Sequence, residues 1–154
     1  LKEIIDFNKQ HEEAAMPFFK QEILEMCEKK GDLNSSEYKE ALQKTLSSRL
    51  IIDEMKGDNK LDAICGVTSG LSWCIDLING DYDTGFSYST PAAISGYPHI
   101  TVPMGIIHNL PIGLSFIGGA YTEPQLLSFA YCYEQATKNR TAPMFLQTSV
   151  TDKT

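Results

Sequence analysis

From Leu61 to Thr137 the chain contains no lysine and no arginine, a stretch of 77 residues in a protein of 154. A nucleic-acid surface needs clustered cations facing phosphates, so this stretch offers none. It also excludes a catalytic lysine there and disfavours phosphate-rich cofactors, although backbone amides can still hold a single phosphate. No run of eighteen apolar residues occurs, and the mean hydropathy is −0.20, so no membrane span is expected. No basic segment followed by an apolar core opens the chain, so no signal peptide is expected. The first residue is Leu1, which suits a processed chain or a piece of a longer one. The four cysteines (Cys27, Cys65, Cys74, Cys132) form no C-x-x-C pair, and His11, His99 and His108 do not complete a zinc set. The expectation is free, mostly buried thiols in a reducing, cytoplasmic compartment, with no metal and no cofactor.

The formal charge is −7, and its layout is uneven. Residues 1–60 carry 10 of the 13 basic and 13 of the 20 acidic side chains. This third reads as helical. Ile4, Ile5 and Asn8 sit at turn spacing, Met16-Pro17 interrupts the pattern, and a second run passes through Ile23, Leu24 and Cys27. Tyr38, Ala41, Leu42, Thr45, Leu46, Arg49 and Leu50 share one face of a third helix. Asn34 with Glu37 suggests a capping box at its start, and Gly57-Asp58-Asn59 ends it.

After residue 60 the texture changes, with nine of the 11 glycines and six of the seven prolines. The apolar runs Leu61–Cys65, His99–Met104 and Ile112–Ile117 have strand lengths. His108-Asn109 makes a hairpin turn between the last two, and Pro103 places its strand near an end or a sheet edge. Pro91 opens a short helix that Gly96-Tyr97-Pro98 stops. Thr122, Pro124 and Gln125 begin a final helix running to about Lys138, with Leu126, Leu127, Ala130 and Tyr133 inward. The fold class is α/β: a helical segment over 1–58, then strands with packed helices over 59–154, the two together forming one domain.

Several patterns look chemical and have simpler readings. Ser36-x-x-Lys39 has serine–lysine spacing but lies in the first turn of a surface helix. His11-Glu12-Glu13 lacks the second histidine of a zinc-protease helix, because that position is Ala15. Asn79-x-Asp81-x-Asp83 resembles a calcium loop, yet Thr84 and Thr90 stand where glycine and glutamate are needed; a turn is the better reading. Gly66-Val67-Thr68-Ser69-Gly70 is not a nucleophile elbow and has no nearby base in sequence. The sequons at Asn34 and Asn139 matter only in an exported chain.

The second half carries a specific text. Leu61-Asp62-Ala63-Ile64 runs into Thr68-Ser69-Gly70, and Asp76-Leu-Ile-Asn-Gly80-Asp81 follows. Ser87-Tyr-Ser89-Thr-Pro91-Ala92-Ala93-Ile-Ser-Gly96-Tyr97-Pro98 then leads into Ile100-Thr101-Val102-Pro103-Met104-Gly105. Leu110-Pro111-Ile-Gly113-Leu114-Ser115-Phe116-Ile-Gly118 and Glu134-Gln135-Ala136-Thr137 complete it. This order resembles the carboxy-terminal part of the amidase signature family over residues 59–146. Phe7-Asn8 and Met16-Pro17-Phe-Phe resemble the same family's helical insertion. The chain departs from the family's pattern at Gly66-Val67, where Ala-Pro is usual, and at Asn109, where glycine precedes Leu-Pro.

The resemblance implies hydrolysis or transfer of amide nitrogen by a serine nucleophile, a second serine in a cis peptide bond, and a lysine. The nucleophile of that family lies in a Gly/Ser-rich stretch that nothing here matches, so no catalytic residue carries over. The expectation is the carboxy-terminal portion of an amidase, inactive alone, that requires the amino-terminal amidase portion as partner and acts on a small amide in the full enzyme. A piece of the amidase subunit of a tRNA-dependent amidotransferase and a non-catalytic interaction module are the alternatives, with a small Cys/His hydrolase behind them. In the family this region forms one wall of the substrate pocket, which makes Thr68, Ser69, Trp73, Asp76, Phe86 and Ser87 the candidate substrate-binding residues. A chain shaped for a larger fold should expose an apolar face, which a homodimer could hide. No nucleic-acid or membrane partner is expected.

Overall fold

A computed structural model of the chain describes residues 1–83 and 85–145. The segment 146–154, which includes the end of both the 59–154 unit and the resemblance, lies outside the described residues, as does Thr84.

The helical third holds α1 (Lys2–Gln10), α2 (Glu12–Ala15), α3 (Glu22–Glu28) and α4 (Ser36–Asp58). The expected break at Met16-Pro17 falls between α2 and α3. Around it Ile5, Met16 and Gln21 are buried. Burying an amide demands partners. Gln21 finds them: its Nε2 donates to the Ile5 carbonyl at 3.0 Å and its Oε1 accepts from Asn8 at 3.0 Å. At the surface the ion pair Lys9–Glu25 ties α1 to α3, and Lys20–Glu12 ties the segment before α3 to α2.

Two details of α4 differ from the sequence expectation. Its cap is Ser35, whose hydroxyl accepts from the Tyr38 amide at 3.2 Å. Asn34 instead spends its amide on Asp32 Oδ1 in a tight turn. The expected apolar face is also displaced: Leu50 is exposed, Thr45 and Leu46 are half-buried, and Ile52 is the buried residue of the helix. The docked face is set by polar partners. Arg49 Nε donates to the Ser95 carbonyl at 2.6 Å, and the Tyr97 hydroxyl donates to Asp53 at 2.6 Å. Arg49, Ile52, Asp53 and Lys56 follow i, i+3, i+4, i+7 spacing, so helical geometry turns Leu50 away, whereas Leu42, one heptad before Arg49, lies on the same stripe and is exposed.

The sheet has three strands, β1 (Ile64–Val67), β2 (His99–Ile107) and β3 (Leu110–Ile117), in the order β1-β3-β2 and antiparallel throughout. The first strand begins at Ile64; Leu61 closes α4 by donating its amide to the Lys56 carbonyl at 2.8 Å. His108 and Asn109 link β2 to β3 with φ of 50° and 64°, the left-handed pair whose twist matches a two-residue hairpin. Pro103 lies on an edge strand, where its missing N–H costs no ladder bond, and the register shifts between it and Gly105. Before β2, α5 (Thr90–Ser95) ends at Gly96, whose φ of 71° is the left-handed stop expected there.

Pairing gives the sheet two unlike faces. Ile100, Val102, Leu114 and Phe116 share one, against which α6 (Glu123–Thr137) packs. Leu126 and Ala130 are buried there, and the Phe116 ring meets Phe129 and Tyr133 with centroids 6.4 Å away in each case. Leu127, expected inward, is 59% exposed because it lies one position round the helix from Leu126. Thr122 stands at the start of α6 but does not form the expected box. Its hydroxyl donates to the Gly119 carbonyl at 2.9 Å, and Gln125 reaches Asp62 at 3.2 Å.

All four cysteines are free and exposed, contrary to the expectation of burial. They lie on α3, β1, the loop after β1 and α6, at positions that remain open to solvent. Among the described residues no helix is long and apolar enough to cross a membrane.

Candidate functional site

The face of the sheet opposite α6 is polar at its centre. Register places Thr101 beside Ser115 on β2 and β3, with His99 two residues earlier on the same face and Gly113 two residues before Ser115. Ser115 is fully buried. Its hydroxyl donates to Thr68 Oγ1 at 2.8 Å, lies 3.1 Å from Thr101 Oγ1, and lies 2.8 Å from His99 Nε2. Thr68 Oγ1 in turn donates to Thr101 Oγ1 at 3.5 Å. Burial holds the His99 ring below the ordinary imidazole value of 6.5, favouring its neutral form. Gly113 is obligatory beneath this group: a Cβ there would stand 2.6 Å from Thr68 Oγ1 and 2.7 Å from Thr101 Cγ2.

Thr68 carries this network into the loop after β1. Its amide donates to the Gly113 carbonyl at 2.8 Å, and its carbonyl accepts from the Tyr88 amide at 2.9 Å. Ser69 then pairs with Ser87 in an isolated antiparallel bridge. The Ser87 hydroxyl sits 2.7 Å from that of Ser89 and does not cap α5. Tyr88 lies across Gly66, where a Cβ would approach its ring to 2.5 Å, and its hydroxyl donates to the Cys65 carbonyl at 2.9 Å. Burial of the Tyr88 phenol pushes its pKa up.

Of the six candidate residues, the structure therefore brings together Thr68, Ser69 and Ser87. Trp73 and Phe86 stand on the flanking loops with 45% and 52% of their surfaces exposed, so Trp73 does not serve as core filler. Asp76 is committed locally. It accepts from the Ile78 and Asn79 amides, and from Asn79 Nδ2, all at 2.9 Å. Those bonds, from the Asn79 amide first, hold its carboxyl below the usual range. Asp81 and Asp83 likewise accept from the amides of Asp76 and Gly85, so the loop that resembles a calcium site is an acid-braced turn. Among the described residues no group of three or more His, Cys, Asp or Glu could hold a metal.

Ser36 and Lys39 lie on the exposed first turn of α4, with the Ser36 hydroxyl turned to Glu37 at 3.4 Å. A cleft of about 500 Å³ between the β2–β3 turn and residues 139–145 lies away from the candidate residues.

His99, Thr101, Ser115 and Tyr88 are the residues of this cluster that the sequence reading passed over. The signal was present as polar side chains two residues apart inside runs otherwise apolar: His99-x-Thr101, and Ser115 two after Gly113. In a strand such spacing puts them on one face.

No protein-family model matches the chain. A probable amidase of Arabidopsis thaliana is 34% identical over 149 residues, covering 95% of this chain and 26% of that protein. The glutamyl-tRNA(Gln) amidotransferase A-type subunit of Thermoanaerobacter pseudethanolicus is 33% identical over 117 residues, covering 72% of this chain and 24% of its own length. Among solved structures, a peptide amidase bound to the competitive inhibitor chymostatin superposes with a TM-score of 0.84 at 40% identity, covering 92% of this chain and 29% of that one. The native peptide amidase of Stenotrophomonas maltophilia gives 0.80 at 37% identity, covering 94% and 29%. The chain thus spans 24% to 29% of the length of these relatives. By sequence and by fold it is related to the amidases and the A-type subunits of amidotransferases, as an amidase-signature-like part of such an enzyme.

Proposed function

We propose that this chain is the carboxy-terminal portion of an amidase that hydrolyses the carbon–nitrogen bond of small amides, releasing ammonia or an amine. It contributes core and one wall of the substrate pocket, and it turns over nothing by itself. The nucleophile, the second serine and the lysine come from the remaining portion of the fold, in a cytoplasmic enzyme.

The observation that carries this reading is surface. The chain exposes 12264 Å². Size scaling gives about 7,750 Å² for a self-contained folded protein of this mass. The excess, roughly 4,500 Å², is several times the ~800 Å² that one partner buries in a standard interface. It is also apolar: Phe18, Phe19, Ile23, Leu50, Ile51, Ile75 and Ile78 are each more than half exposed. A homodimer of ordinary size leaves most of that surface wet, whereas the rest of an amidase fold has the necessary extent. The polar wall fits the same picture. Thr68, Ser69 and Ser87 supply hydroxyl and backbone groups that orient an amide, and Trp73 and Phe86 supply apolar area beside them.

The test is ammonia release from a panel of simple amides, with this chain alone and mixed with a separately produced amino-terminal amidase portion. Silence alone and activity on mixing are expected. Turnover by the chain alone contradicts the reading and returns attention to the exposed Cys65 and Cys74. The amidotransferase relatives favour a second reading, in which the parent passes ammonia from glutamine to a charged tRNA. Glutamine as the single amide accepted from the panel would select it.

A further inference from the structure

The Ser115 hydroxyl has one proton and three partners, and proton bookkeeping fixes the pattern. The proton goes to Thr68 Oγ1 at 2.8 Å, so Thr101 and His99 must both donate to Ser115. Thr68 donates to Thr101, which closes a ring of three hydroxyls, each giving its proton to the next. His99 stands outside the ring and feeds it from Nε2, so its neutral form carries the proton on that nitrogen. The ring spans β2, β3 and the residue following β1, and it lies over Gly113, where no side chain fits.

Resting on the amidase reading given above, we propose that Ser115, oriented by His99, is the positioning residue for Thr68 and thereby for the Ser69–Ser87 bridge that forms the polar wall of the substrate site. Ser115 is buried and touches no substrate; it acts through Thr68. Three bonds hold Thr68 to the sheet, its amide to the Gly113 carbonyl and its hydroxyl to those of Ser115 and Thr101, and a fourth, from the Tyr88 amide to its carbonyl, carries it to the Ser87 segment; the two backbone bonds can be followed by exchange. The lowered pKa of His99 accords with a ring kept neutral and donating.

The test follows amide hydrogen exchange across the chain and the His99 tautomer by nitrogen NMR. Ser115→Ala and Thr68→Val should each raise exchange at Thr68 and Tyr88 about tenfold, while Val102 and Leu114 in the β2–β3 hairpin stay protected. Thr68→Ser, which keeps the hydroxyl, should restore the original rates. Gly113→Ala should reproduce the loss without removing a hydroxyl, because its methyl group forces Thr68 and Thr101 apart. The His99 ring should be in the Nε2–H form in the unaltered chain and become mixed in Ser115→Ala. Unchanged exchange at Thr68 and Tyr88 in both Ser115→Ala and Thr68→Val, or an Nδ1–H ring in the unaltered chain, would overturn the proposal. Where Ser115→Ala also loses hairpin protection, Thr68→Val and Gly113→Ala decide it.

In the active mixture Ser115→Ala should raise KM about five- to tenfold with kcat within about twofold, the signature of a displaced binding wall. A fall in kcat at constant KM contradicts the positioning role. If the unaltered mixture is silent, the amidase reading fails, and the exchange and tautomer results still decide the hydroxyl ring.

Discussion

The helical third and the sheet of this chain solve the same problem to different extents. Around the sheet, α6 covers one face, Val102, Ile117, Leu126 and Ala130 are buried, and the buried Ser115 hydroxyl has every bond it can make. In the helical third, α4 is 23 residues long and buries Ile52 alone. The helices before it gather around Ile5, Met16 and Gln21, leaving Phe18, Phe19 and Ile23 in solvent. A helix in a globular protein draws its stability mainly from burying an amphipathic face. Apolar burial is thus concentrated around the sheet and α6, and the helical third is where the proposed reading needs cover from the rest of the fold.

The contrast can be broken first in the half built on the sheet and α6. Leu126 is 2% exposed, so Leu126→Ala should cost about 2–5 kcal/mol in a urea melt, through lost burial and the cavity left behind. A cost near zero would mean that the α6–sheet core does not carry the fold. Gly66→Val should come next, at about 1–3 kcal/mol, because the new side chain meets the Tyr88 ring. That variant should also detach the Tyr88 hydroxyl from Cys65, visible as a shift in tyrosine fluorescence.

The opposite half sharpens the comparison. Ile23→Ser alters a side chain 73% exposed and should change the stability of the chain alone by no more than about 0.5 kcal/mol. If the helical third is an interface, the same variant should weaken association with the amino-terminal amidase portion by about tenfold or more in a binding titration. Equal binding by both forms would remove Ile23 from that interface.

Acid should give the smallest effect. The folded pKa of His99 lies below its ordinary 6.5, so the unfolded chain binds the proton more readily. Its contribution to stability is present above 6.5 and is lost as pH falls from there through the depressed folded value. Stability profiles of the chain and of His99→Gln should therefore diverge below pH 6.5, with the variant the flatter of the two. Parallel profiles would contradict a buried neutral ring.

Legibility in the sequence followed the range of the interaction. The His108-Asn109 turn, the Gly96 stop, the edge position of Pro103 and the start of the last helix are local matters of φ and missing N–H groups, and all are as the sequence predicts. The docked face of α4 was not legible, because it depends on Arg49 meeting a carbonyl 46 residues away. Capping boxes at Asn34 and Thr122 failed for a related reason. Asp32 and Asp62 compete for the same groups, and short motifs do not reveal competitors. Within the candidate site, Thr68, Ser69 and Ser87 are candidates through the family resemblance, and the fold places them side by side. Ser115 was hidden inside an apolar run, where only strand register shows that it faces Thr101 and His99.

If the exposed apolar surface is covered by another portion of an amidase, light scattering coupled to size exclusion reads that directly. Alone, the chain should bind a hydrophobic dye and self-associate. Mixed with the amino-terminal portion, it should run as a one-to-one complex with the dye signal lost. A monodisperse, dye-silent monomer that ignores the amino-terminal portion would contradict the account.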